Sequence, residues 1–134
     1  MNRKGFTLIE LIATIALLAI IAVISFVSIN KVIQKNKIEN CKSLVSSIVT
    51  AATEYASDSR YNDEFVNNRI ADYKLDIYAS ELLENEYLKG EIIDPYDKRN
   101  IINPAEVAIH IDFNTDYTVK RVMVNSPQIL KECN

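Results

Sequence analysis

Residues 4–29 read KGFTLIELIATIALLAIIAVISFVSI, and the rest of the chain is organised around them. Lys4 and Gly5 lead into Phe6-Thr7-Leu8-Ile9-Glu10. An almost unbroken apolar run then continues to Ile29, with Glu10 its only ionisable group. At about 1.5 Å per helical residue, the run from Phe6 to Ile29 is long enough to cross a hydrocarbon core of about 30 Å. The chain therefore has a membrane phase. A carboxylate within such a span costs at least a few kcal/mol near mid-membrane and less toward its ends. Glu10 is thus a functional candidate that calls for an oppositely charged partner.

Composition bounds the rest of the chain. At 134 residues there is room for one domain besides the membrane helix. The hydrophobic content of 49% is unevenly spread, and the N-terminal stretch holds much of it. The remainder is rich in Asn, Asp, Glu and Lys and can bury only a modest core, so it must lean on the first helix. Net charge is −3, with no basic face of the kind that nucleic-acid binding requires, so no clear nucleic-acid site is read.

From Phe6 onward neither Gly nor Pro occurs before Gly90, so nothing obvious breaks the helix beyond the span. After Ile29 the pattern becomes one-faced: Cys41, Leu44, Val45, Ile48, Ala52, Tyr55 and Ala56 recur at spacings of three and four. This predicts one helix from about Phe6 to about Ala56, ending near Ser57-Asp58-Ser59 and on the order of 75 Å long. Arg60 to Lys74 reads as a polar connecting loop with room for a short helical turn. Asp76 reads as the N-cap of a helix from Ile77 to about Tyr87, with Tyr78, Leu82, Leu83 and Tyr87 inward and Gly90 ending the reversal. Asp94-Pro95-Tyr96-Asp97 reads as a turn. Val107 to Phe113 and Tyr117 to Val124 alternate around Asn114-Thr115-Asp116, which predicts a β-hairpin. Pro127 interrupts, and Ile129-Leu130 is expected to begin a third, edge strand.

The head of the span is similar to the prepilin signature of type IV pilins and pseudopilins, on Lys4-Gly5 followed by Phe6-Thr7-Leu8-Ile9-Glu10. That resemblance implies an α+β, pilin-like fold: a long N-terminal helix packed on a small antiparallel sheet. It implies a leader at 1–5, a transmembrane and assembly half of the helix at 6–29, and a globular domain at 30–134 that includes the amphipathic half. Gly5 would be the last leader residue, and Phe6 the first mature residue and the one N-methylated. Glu10 would pair with the N-terminal amine of a neighbouring subunit during assembly. Losing Arg3 and Lys4 with the leader takes the side-chain charge from −3 to −5.

The implied work is structural: a subunit stored in the cytoplasmic membrane as a single-pass protein, then polymerised into an extracellular filament. The implied partners are further copies, other pilins, the membrane, a prepilin peptidase, an assembly ATPase and a platform protein. No cofactor and no catalytic residue are expected. The alternatives are a minor pilin or pseudopilin of a type II secretion or DNA-uptake machine, and a membrane-anchored binding protein that never polymerises. An ordinary signal anchor with a stray Glu is the plain rival for the span itself. Charge does not set orientation, because Arg3 and Lys4 precede the span while Lys31, Lys35 and Lys37 follow it. Many relatives of this type carry Gly and Pro in the apolar half, where this chain has Ala19 and Val27. That leaves Ser25, Ser28 and Asn30 as its soft points.

Cys41 and Cys133 allow one intramolecular bridge in a compartment that permits it. Cys41 on the apolar stripe faces the globular part, so a bridge to the penultimate residue is the candidate. The other options are a buried thiol with a dangling one, or a bridge between subunits. Asp112-x-Asn114-x-Asp116 begins like a calcium loop, but Tyr117 and Met123 occupy the positions that need Gly and Glu, so a solvated turn is expected and no metal is assigned. His110 is read as a surface histidine. Lys31, Lys35, Lys37 and Lys42 are read as a collar at the lipid headgroups.

Overall fold

The structure is a computed structural model that describes residues 5–130 and Cys133, without the side chain of Val27. Met1 to Lys4 of the expected leader therefore lie outside the described residues, as does the side chain at Val27. The chain divides into two units, Met1–Asn36 and Lys37–Asn134.

The first unit is helical from Leu8, where α1 (Leu8–Ser59) begins. Every described side chain in it is exposed. Large apolar residues line the segment on all sides, from Phe6 at 83% exposure to Ile33 at 46%. An apolar surface this continuous has no stable state in water. Among the described residues α1 is the one helix long and apolar enough to cross a membrane. The hydroxyls of its apolar part turn back on their own backbone. Thr14 Oγ1 donates to the Leu11 carbonyl at 2.8 Å, Ser25 to Ile21 at 2.8 Å and Ser28 to Ile24 at 3.3 Å. In lipid this satisfies hydroxyls that water would otherwise serve.

The second unit is built on the rest of α1. Cys41, Ile48, Ala51, Ala52, Tyr55 and Ala56 form its buried stripe, with Leu44 and Val45 half-buried beside them. Small Ala residues on that stripe let other chain segments approach the helix closely. Against it packs a three-stranded antiparallel sheet, order β1-β2-β3, made of β1 (Lys74–Tyr78), β2 (Ala108–Phe113) and β3 (Val119–Asn125). Leu75, Ile77, Ile109, Ile111, Phe113 and Val124 supply the sheet's buried face. The fold is thus α+β, a long N-terminal helix followed by a small antiparallel sheet. The β2–β3 hairpin is the predicted one, with its strands starting one and two residues later than the pattern suggested.

Two expectations are corrected. The segment from Ile77 to Tyr87 is not one helix. Asp76 lies inside β1, and α3 covers only Ala79–Glu84. Lys-Leu-Asp-Ile-Tyr alternates with period two, and the register sets Leu75 opposite Ile111 and Ile77 opposite Ile109. Burying both apolar residues needs a strand, and Tyr78 then points outward at 52% exposure while Leu82 is fully buried. The chain reversal after α3 also ends before Gly90. Glu86, at φ 63°, takes the left-handed position, and Tyr87 N–H donates to the Leu82 carbonyl while Glu86 N–H donates to that of Leu83. This is the Schellman pattern with a glutamate in the usual glycine place.

The third strand is β1, not Ile129-Leu130. Those two residues end a helical turn, α4 (Pro127–Leu130), in which Pro127 takes the first position and so sacrifices no hydrogen bond. Ile129 is fully buried there. The loop after α1 does contain a helical turn, α2 (Asp63–Arg69), capped by Asn62, whose side chain accepts from Phe65 N–H at 3.2 Å. Asp94 builds the turn expected around it by accepting from Tyr96 N–H at 2.8 Å and Asp97 N–H at 3.3 Å.

Candidate functional site

The head of α1 is assembled from Gly5, Phe6, Thr7 and Glu10. Gly5 and Phe6 precede the helix and are exposed. A Cβ added at Gly5 would meet nothing within 4 Å, so the fold itself makes no demand for glycine there.

Thr7 caps the helix. Its N–H and its hydroxyl both donate to Oε2 of Glu10 at 2.9 Å, and Glu10 N–H donates back to Thr7 Oγ1 at 3.4 Å. Leu11 N–H closes the first turn on the Thr7 carbonyl at 3.2 Å. This reciprocal arrangement is a capping box, which satisfies donors that a helix start leaves open. It also sets a carboxylate at the positive end of the helix dipole. Sequence reading missed this role for Glu10, although the signal was present: Thr-x-x-Glu ahead of an apolar run. The box engages Oε2, while Oε1 has no hydrogen bond among the described residues. One carboxylate oxygen thus orients the side chain and the other stays open.

These residues fall inside a recognised pattern, since residues 1–26 match the family described as the prokaryotic N-terminal methylation motif. The chain carries the prokaryotic N-terminal methylation motif. Among curated proteins and solved structures, none matches the chain. The motif accounts for the head of α1 alone; residues beyond 26 have to be read from their own geometry.

In the second unit, Cys41 and Cys133 are joined by a disulfide, with Cα atoms 5.5 Å apart and a sequence separation of 92. Cys41 is fully buried on the α1 stripe. Next to the core, Tyr55 O–H donates to Glu81 Oε1 at 2.6 Å, and Arg69 Nη2 donates to both Glu81 oxygens at 3.0 Å. Glu81 thereby ties α1, α2 and α3 together. Burial, and then the hydrogen bond to Glu81, push the Tyr55 hydroxyl well above the ordinary tyrosine range.

The remaining sequence candidates are dispersed. His110 lies on the outer face of the sheet with Nδ1 2.5 Å from Asp76 Oδ1, a cross-strand pair set by the β1–β2 register. Asp112 sits in the next row of that face, between Lys74 and Arg121. Asp116 spends Oδ1 on its own turn, accepting from Thr118 N–H at 3.0 Å and Thr118 Oγ1 at 2.6 Å. Asn114 likewise bonds Thr118, through Nδ2 at 2.9 Å. Of the lysine collar, Lys37 is half-buried with its ammonium 5.8 Å from the centre of the Tyr96 ring, while Lys31, Lys35 and Lys42 are exposed.

Proposed function

We propose that this chain is a structural subunit of a type IV pilus-like filament, held in the membrane after its leader is cut and polymerised through the apolar head of α1. The supporting observation is a helix start that joins three features: the methylation motif, an apolar surface exposed on every side, and a Glu10 carboxylate with one oxygen held by Thr7 and the other open. In this reading a peptidase cuts between Gly5 and Phe6, Phe6 is N-methylated, and its amine on one subunit meets Glu10 of the next. The apolar faces of neighbouring helices replace lipid, so transfer from membrane to fibre changes little apolar exposure. The charge pair then sets the register. Pairing in a low-dielectric setting also offsets the cost of holding an isolated carboxylate there.

The polar second unit gives the fibre its surface. The partners in this reading are further copies, other pilins, the membrane and the processing and assembly machinery; the chain performs no catalysis itself. A minor pilin or pseudopilin of a secretion or DNA-uptake machine would use the same helix head. An intact Glu10 favours a subunit added along the fibre.

Glu10→Gln tests the reading cleanly. Glutamine serves a capping box as well as glutamate does, so the helix start survives and only the charge is lost. Leader removal and membrane insertion should stay intact while filament yield falls sharply. Wild-type filament yield from this variant would refute the docking role and leave Glu10 as a cap.

A further inference from the structure

The sheet is open at both of its edges. Along the β1–β2 pair, Phe113 N–H donates to the Tyr73 carbonyl at 2.8 Å and Ala79 N–H to the Val107 carbonyl at 3.0 Å. With the register between them, Tyr73, Leu75 and Ile77 turn their backbone groups toward β2, while Asp76 and Tyr78 turn theirs away. On the other side of β2, Asn114 N–H donates to the Thr118 carbonyl at 2.8 Å. His110 and Asp112 follow the same alternation toward Met123 and Arg121, so Val122 between those two points its N–H and carbonyl outward. Among the described residues, the Asp76 carbonyl, the Tyr78 N–H and both backbone groups of Val122 have no hydrogen-bond partner.

The two edges carry opposite charge. β3 holds Lys120 and Arg121, both exposed, and no acidic residue. At the middle of the β1 edge stands Asp76, with Oδ1 against His110 and Oδ2 open among the described residues. Charges on an edge strand ordinarily keep it from pairing, and they do keep β3 from β3. They do not keep β3 from β1 of another copy.

We propose that β3 of one copy pairs in parallel with β1 of the next, so that the sheet continues from subunit to subunit. β1 and β3 both run antiparallel to β2, so a copy displaced along the sheet presents its β1 parallel to β3. Val122 then lies opposite Ile77 of the next copy. Its N–H donates to the Asp76 carbonyl there, and its carbonyl accepts from the Tyr78 N–H. This register sets Arg121 beside Asp76 and Met123 beside Tyr78. The outer row becomes Lys74, Asp112, Arg121 and the next copy's Asp76, with signs alternating throughout. Met123, 40% exposed, and Tyr78 cover each other as thioether and ring. A slip of two residues one way sets Arg121 against Lys74, and the other way runs Met123 past the end of β1, so one register is selected. The two surfaces differ, so the contact is head-to-tail and open-ended, as a fibre requires. It is too small to hold two copies alone and acts between copies gathered by the apolar helix. In that respect it rests on the filament reading.

The test is oxidative cross-linking of cells, and of filaments sheared from them, that carry the full chain with both Asp76→Cys and Arg121→Cys. Directly opposite residues of a parallel pair lie about 5 Å apart, within disulfide reach. Within one chain β2 separates the two positions by two strand spacings, about 9–10 Å, which is too far to bridge. The double variant should give a ladder of dimers, trimers and longer species on a non-reducing gel, while each single variant stays monomeric. Val122→Pro removes only an outward N–H, which an edge strand tolerates, and should lower filament yield several-fold at an unchanged melting temperature. Filaments of the double variant without a ladder would overturn the sheet contact and leave the filament reading intact. A ladder from membranes of cells that make no filaments would do the reverse. Dimers from Arg121→Cys alone would overturn the proposal in favour of β3 on β3. Should the double variant fail to assemble, Val122→Pro decides, and a wild-type filament yield from it would overturn the contact.

Discussion

Cys133→Ser should cost the second unit much of its stability. The bridge to Cys41 closes a loop with a sequence separation of 92 residues, nearly the whole unit. In the chain-entropy account, a loop of this size removes about 4–5 kcal/mol of disorder from the unfolded chain. Cutting the bridge at Cys133 leaves the fully buried Cys41 in place, so no cavity is made in the core. The tie also holds down α4, where Ile129 is fully buried, and Ser126 just ahead of it, which is 1% exposed. If that turn frays, the burial of Ile129 is lost as well, roughly another 1.5–3 kcal/mol. A domain of about 100 residues shifts its melting temperature by about 4–8 °C per kcal/mol. The expected fall is therefore at least about 20 °C. The assay is thermal unfolding of the detergent-solubilised chain, followed by tyrosine near-ultraviolet circular dichroism so that the apolar helix does not mask the transition. Wild-type protein treated with reductant should match the variant. A melting temperature within about 2 °C of wild type, well under the shift expected for 1 kcal/mol, would show that the bridge carries no such load. Two reactive thiols in the denatured, unreduced wild-type protein would show that it does not form.

Two more outcomes rest on the side-chain networks. Folded Tyr55 holds its proton above the pH at which an unfolded tyrosine, near 10, loses it. Its contribution is therefore complete below about pH 10 and lost as pH rises beyond it, so denaturant titrations should show an alkaline decline that Tyr55→Phe reduces. At neutral pH the same variant should cost about 1 kcal/mol, the worth of an ordinary hydrogen bond. At the helix head, Glu10→Ala should fray the first turn of α1 in hydrogen exchange, whereas Glu10→Gln should not.

The parts of this fold that were legible in the sequence are those where a period runs long enough to be unambiguous. The α1 stripe repeats from Cys41 to Ala56 without a Gly or Pro, and β2 alternates through six residues. The β1 strand has only five residues and two apolar ones, and Asp76 ahead of Ile77 mimics a helix cap. Its identity was fixed by pairing with β2, a contact more than thirty residues away that no local window contains. The turns were hidden for a different reason. Glycine is the usual marker of left-handed backbone, and this chain has two glycines. Asp72, Tyr73, Glu86 and Tyr117 occupy such positions instead, so the turn types left no familiar trace. At the helix head, the apolar run made Glu10 conspicuous, yet the same conspicuousness drew attention from Thr7, the residue that holds it.

The decisive experiment on the filament reading is the mass and N-terminal sequence of the protein recovered from sheared surface filaments. The recovered chain should begin at N-methylated Phe6, lack residues 1–5, and be a main constituent of those filaments. A chain that still carries Met1, or one cut after Ser25 or Ser28, would rule the pilin reading out.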